Sequence, residues 1–140
     1  MNNDATVYDY MTGDLPDVFE TTPLNKVIEL LDKYNFSGLP VVNAQHQLIG
    51  IISEKDCIHQ LIQSSYHCES PPNTHEVMTK EAQSVKHTTS IYQVADIMDK
   101  RTLKALPVLK DEKVVGLITR AGVLRALNDY LMTCSLPSNQ

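Results

Sequence analysis

A chain of 140 residues with 42% hydrophobic content and a formal net charge of −5 is long enough for one compact α/β body, burying roughly two thirds of its unfolded surface. Its acidic balance argues against a nucleic-acid partner, because phosphate backbones are gripped by clustered Lys and Arg. The three cysteines, Cys57, Cys68 and Cys134, are odd in number and lack CxxC spacing, which suits a reducing compartment better than a disulfide framework.

In chain order, "MNNDATVYDY" carries neither the basic segment nor the apolar core of a signal peptide. No apolar run approaches the ~18 residues that cross a bilayer, so the expectation is a cytoplasmic protein with no membrane partner. After the extended lead-in ending at Met11 and Thr12, Leu24, Val27, Ile28, Leu31 and Tyr34 recur at helical spacing. This predicts a helix over about residues 23–34, with Thr22 as N-cap and Pro23 at the first helical position. "LPVV" and "LIGIIS", separated by the polar turn "NAQHQ", read as a hairpin of buried strands, and a second helix follows from Glu54. "SSYHCESPPN" is the expected linker, with two prolines that oppose helix.

The pattern then repeats. Thr12 matches Thr79, and the same shift of 67 (79 − 12) carries Leu24 onto Ile91, Val27 onto Val94, Leu31 onto Met98 and Pro40 onto Pro107. One residue is missing from the second polar turn, so Gly50 pairs with Gly116 at a shift of 66 (116 − 50), as do Ser53 with Thr119 and Asp56 with Gly122. Each β-α-β-β-α repeat of about 60 residues is small for independent stability. The expected fold is therefore two repeats, over residues 7–65 and 74–131 with a linker at 66–73, related by pseudo-twofold symmetry, sheets face to face and helices outside. Trp is absent and Phe19 and Phe36 are the only phenylalanines, so the core is expected to be aliphatic.

The order "MT", "TPLNKVIELLDKYNFSGLPVV", "LIGIISEKD", then "MT", "KALPVL" and "VVGLIT", resembles a pair of CBS domains, the tandem module named after cystathionine β-synthase. The resemblance covers about Val7 to Leu131 and implies a regulatory module, often a homodimer, that binds AMP, ADP, ATP or S-adenosylmethionine between repeats. Carried residue by residue, it implies a first site of Ile51, Ser53, Lys55, Asp56, Thr89, Leu103 and Lys104. A second comprises Thr22, Phe36, Ser37, Leu117, Thr119, Ala121 and Gly122, where Arg120 or Arg125 could meet a phosphate. Gly122 departs from the pattern, since it replaces the acid that would read a ribose.

The chemistry of the repeated turn fits such a role. A strand ending at Ser53 and a helix starting at Glu54 aim free backbone N–H groups at one point, a seat for an anion. Asp56 is suited to accept from a ribose diol, yet Ser53-x-x-Asp56 equally resembles a capping box, and the two roles are compatible. Gly50 within a strand suggests close approach by another backbone or a flat ring.

Other candidates are weaker. His46, His59, His67, His75 and His87 lack metal-ligand spacing, Cys57 has no recognisable base and reads as helix packing, and Met11 and Met78 read as core plugs. No catalytic dyad, catalytic cofactor or phosphate-wrapping glycine loop is evident. The leading expectation is a non-enzymatic sensor of an adenosyl ligand, with an unidentified effector protein as a further partner. The alternative is a ligand-free dimerisation or protein-interaction module.

Overall fold

The computed structural model describes residues 5–67 and 70–135, so Cys68 lies outside the described residues. Its elements are α1 (Val7–Tyr10), α2 (Leu24–Tyr34), β1 (Gly38–Val42), β2 (Leu48–Ser53), α3 (Glu54–His67), α4 (Thr74–Val77), β3 (Val85–Lys86), α5 (Ile91–Lys100), β4 (Ala105–Lys110), β5 (Lys113–Thr119) and α6 (Arg120–Ser135). They form two compact units, one from Leu15–Gln83 with Asp111–Val114, the other from Met1–Asp14, Ser84–Lys110 and Val115–Gln140.

In the first unit β1 and β2 pair antiparallel, with Leu39 opposite Ile52 and Val41 opposite Gly50. The stripe Leu24, Val27 and Leu31 of α2 packs with Leu39, Val41, Ile52, Cys57 and Met78 in one cluster. As expected, this core is aliphatic. Whereas β1 is buried throughout, only Gly50 and Ile52 of β2 are, so β2 alternates rather than being buried on both faces. The helix stops at Asn35, which takes a left-handed φ of 57°, and Phe36 N–H reaches back to donate to the Leu31 carbonyl at 3.1 Å, closing the C-terminal turn.

Two local expectations need correction. Pro23, not Thr22, is the N-cap of α2. The Thr22 hydroxyl instead accepts from Phe19 N–H at 2.9 Å, and its carbonyl accepts both the amide and the hydroxyl of Thr74, at 2.9 and 2.7 Å. In addition α3 runs on to His67 through the "SSYH" of the expected linker, because the prolines lie at 71 and 72 and the first carbonyl whose i+4 donor they remove is that of His67, the last helical residue.

The second unit repeats the plan. Here β4 is hydrogen-bonded to β3 and β5, and β3 pairs with it in parallel, Val85 opposite Val108. The position matching Val85 in the first repeat is Val18 (85 − 67), which makes a single such bond, from Val42 N–H to its carbonyl at 2.9 Å, and no strand. Ile91, Val94, Leu106, Val108, Ile118, Val123 and Val7 form the core.

The lead-ins are exchanged. Thr12, from the start of the first repeat, pairs with Leu117 through two bonds of 2.8 and 2.9 Å, and Thr79, from the start of the second, pairs with Ile51 at 2.8 and 2.9 Å. Each Met-Thr pair is thus built onto the second hairpin strand of the other repeat. This explains the strand glycines: a Cβ at Gly50 would lie 2.8 Å from Met78 Sδ and 2.9 Å from the Thr79 carbonyl, and one at Gly116 would lie 2.6 and 2.7 Å from Met11 Sδ and the Thr12 carbonyl. Of the two explanations offered for Gly50, backbone approach is the one seen.

Candidate functional site

The repeated strand-to-helix turn is built differently in the two units. At the β2–α3 turn Ser53 Oγ accepts the Asp56 N–H and Asp56 Oδ2 accepts the Ser53 N–H, each at 3.1 Å, a reciprocal capping box. Glu54 N–H donates to the Ser37 carbonyl at 2.9 Å. Two of the first three amides of α3 are therefore engaged by the protein itself, which narrows the expected anion seat. Two acids, Glu54 and Asp56, also occupy the first turn of α3, where they complement the positive end of the helix dipole.

At the β5–α6 turn only half of the box survives. Thr119 Oγ1 accepts the Gly122 N–H at 3.1 Å, and Arg120 N–H donates to the Lys104 carbonyl at 3.0 Å. The acid is missing for a steric reason: a Cβ at Gly122 would sit 2.8 Å from the Tyr10 carbonyl oxygen and 3.1 Å from Ile118 Cδ1. The other turn takes an exchanged lead-in as well and keeps Asp56, so the local approach of the Tyr10 carbonyl is what leaves this turn no room for a side chain.

The remaining sequence candidates fall in place unit by unit. Ser37 joins the Ser53–Asp56 turn, and Lys104 joins the Thr119–Gly122 turn, through the carbonyl bonds above. Thr89 matches Thr22 in position and in role, its hydroxyl accepting from Lys86 N–H at 3.0 Å. Phe36 stacks on Tyr34, with ring centroids 6.2 Å apart and planes 4° apart. Leu117 is buried in the core, Ile51 and Leu103 are half-buried, and Lys55, Lys104, Arg120 and Ala121 are exposed. Burial is the main cause that lifts the Cys57 thiol to about 11, helped by Asp56 and Glu54, as suits a packing residue rather than a nucleophile.

Sequence reasoning missed part of this surface. Lys55 and Asp56 share a cavity of about 360 Å³ with His59, Gln60, Glu76 and Val77. His59 and Gln60 stand four residues after Lys55 and Asp56, a spacing that signals one helix face, but nothing local to Glu76 and Val77 announces that α4 returns beside α3. A wider groove of about 630 Å³ in the other unit lies between α5 and α6, lined by Tyr92, Ala95, Asp96, Met98 and Asp99 of the one and Arg120, Val123, Leu124 and Leu127 of the other. Among the described residues no three His, Cys, Asp or Glu side chains are grouped to hold a metal ion, and no helix is long and apolar enough to cross a membrane.

Comparison with known proteins sets this geometry in context. A family model described as CBS domain matches residues 7–63 and 75–129. The chain is similar to the acetoin utilization protein AcuB of Vibrio cholerae, with 28% identity, a TM-score of 0.78 and coverage of 91% of this chain and 93% of that one. It is also similar to the CBS-pair protein CBSX2 of Arabidopsis thaliana, with 27% identity, a TM-score of 0.76 and coverage of 91% and 96%. The structure of CBSX2 in complex with AMP gives 26%, 0.75, 89% and 97%. Among curated sequences, homoserine O-acetyltransferase of Methanocorpusculum labreanum is 30% identical over 115 residues, 81% of this chain but 22% of the enzyme. A relative from Thermofilum pendens is matched over 39% of its length, so the chain spans well under half of these two relatives.

Proposed function

Since the chain belongs to the CBS domain family, we propose that it is a non-catalytic regulatory module that binds an adenosine-containing ligand, AMP, ADP, ATP or S-adenosylmethionine. The observation that carries this reading is the similarity over almost its whole length to a CBS-pair protein whose structure was determined with AMP. The complete Ser53–Asp56 turn beside a lined cavity supports it locally. Ile51, Ser53, Lys55, Asp56, Thr89, Leu103 and Lys104 form the ligand set in this proposal. The second set, Thr22, Phe36, Ser37, Leu117, Thr119, Arg120, Ala121 and Gly122, is the weaker one because Gly122 offers no acceptor. A cytoplasmic location accords with the cysteine usage.

Regulation requires the ligand to favour one of two arrangements, since only differential affinity shifts an equilibrium. Calorimetry with AMP, ATP and S-adenosylmethionine tests the proposal. Wild type should bind at least one of them, and Asp56→Ala should bind it more weakly. Silence of wild type toward all three at millimolar concentration would end it.

A second reading, self-association without ligand, is favoured by the exposed apolar side chains of α3 and α6. Ile58 is 59% exposed and its repeat equivalent Leu124 is 69% exposed, the kind of surface that marks an interaction site. Sedimentation of an obligate dimer whose melting temperature ignores nucleotides would support this reading, whereas a nucleotide-dependent shift would support the first.

A further inference from the structure

We propose that the cavity beside Asp56 selects its adenosine ligand by charge, taking one with a neutral or positively charged 5′ substituent over a polyphosphate, with Glu76 as the residue that discriminates. The inference rests on the adenosine-ligand reading above and narrows it. Six residues line the cavity, and two of them, Asp56 and Glu76, are acids facing one ammonium, Lys55, and one imidazole, His59. Each carboxylate is fixed by one oxygen on a backbone amide, Asp56 Oδ2 on Ser53 N–H and Glu76 Oε1 on Asn73 N–H, both at 3.1 Å. The other oxygen of each has no hydrogen-bond partner among the described residues.

Such oxygens only accept, so they match ligand donors, a ribose diol at Asp56 and an amino or ammonium group at Glu76. A phosphate chain would face both carboxylates. The usual compensation at a helix start is reduced here, because the Glu54 and Asp56 amides already donate to Ser37 and Ser53. The cavity volume, about 360 Å³, lies near the lower end of the range for small-molecule sites.

The test is titration calorimetry at low salt with 5′-methylthioadenosine, S-adenosylmethionine, AMP and ATP on wild type and on Glu76→Gln. The substitution removes the charge but keeps the amide oxygen that caps α4, since Gln serves that position as well as Glu. Wild type should bind methylthioadenosine or S-adenosylmethionine about tenfold more tightly than ATP, and Glu76→Gln should narrow that ratio about fivefold by improving ATP. Raising salt to about 0.5 M should narrow it in wild type too, a response that a steric filter would not give. ATP binding as tightly as methylthioadenosine to wild type, or a ratio unchanged in Glu76→Gln, would overturn charge selection while leaving adenosine binding intact. Absence of binding by all four compounds would overturn both.

Discussion

Gly122 shows how a single position can look like a lost ligand contact and be a packing requirement. The Tyr10 carbonyl oxygen lies 2.8 Å from where its Cβ would stand, closer than a side chain tolerates without backbone movement. Restoring the acid with Gly122→Asp is therefore expected to destabilise the protein by about 1–3 kcal/mol, the usual range for overpacking, and to create no new adenosine affinity. Thermal melting together with calorimetry checks this; an unchanged melting temperature would contradict the steric argument.

Cys57 makes a second prediction at this scale. Its thiol is raised from 9.0 in the free side chain to about 11, first by burial, so the native state holds a proton that the unfolded chain releases earlier. Stability is then fully present below pH 9 and falls as pH rises toward 11. In Cys57→Ala this alkaline component should vanish, as followed by urea denaturation at several pH values.

At the scale of elements, much was legible. The stripe Leu24, Val27, Leu31 set α2 to within a residue, and the apolar runs around "NAQHQ" set the hairpin, because these signals are local periodicities. What escaped were consequences of tertiary contact. Thr22 is bonded to Phe19 and Thr74 rather than capping α2, and Glu76 reaches the Asp56 cavity only because α4 returns beside α3. The Ser53–Asp56 box was readable from spacing alone, whereas the steric reason for Gly122 was not, since Tyr10 lies more than a hundred residues earlier. The helix end at Asn35 offers a test: at φ 57° a residue with a Cβ is disfavoured, though Asn tolerates it better than most. Asn35→Gly should raise stability by up to about 1 kcal/mol, read as an upward shift in melting temperature.

At the scale of the whole molecule, sequence repeat and compact unit are different partitions of one chain. Duplication was visible in the shift of 67 residues, but a self-alignment says which segments are alike and not which hairpin each segment completes. The pairs Thr12–Leu117 and Thr79–Ile51 supply that information. Val7, fully buried, shares one core cluster with Ile91 and Val108, so the start of the first repeat is built into the core of the second.

Because each Met-Thr lead-in closes over the glycine strand of the opposite repeat, scission of the backbone at the repeat junction would leave two interdependent pieces. Fragments spanning residues 1–69 and 70–140 should each melt without cooperativity alone and regain a single sharp transition when mixed, as split-protein complementation followed by circular dichroism would reveal. A C-terminal piece that folds unaided would refute the dependence.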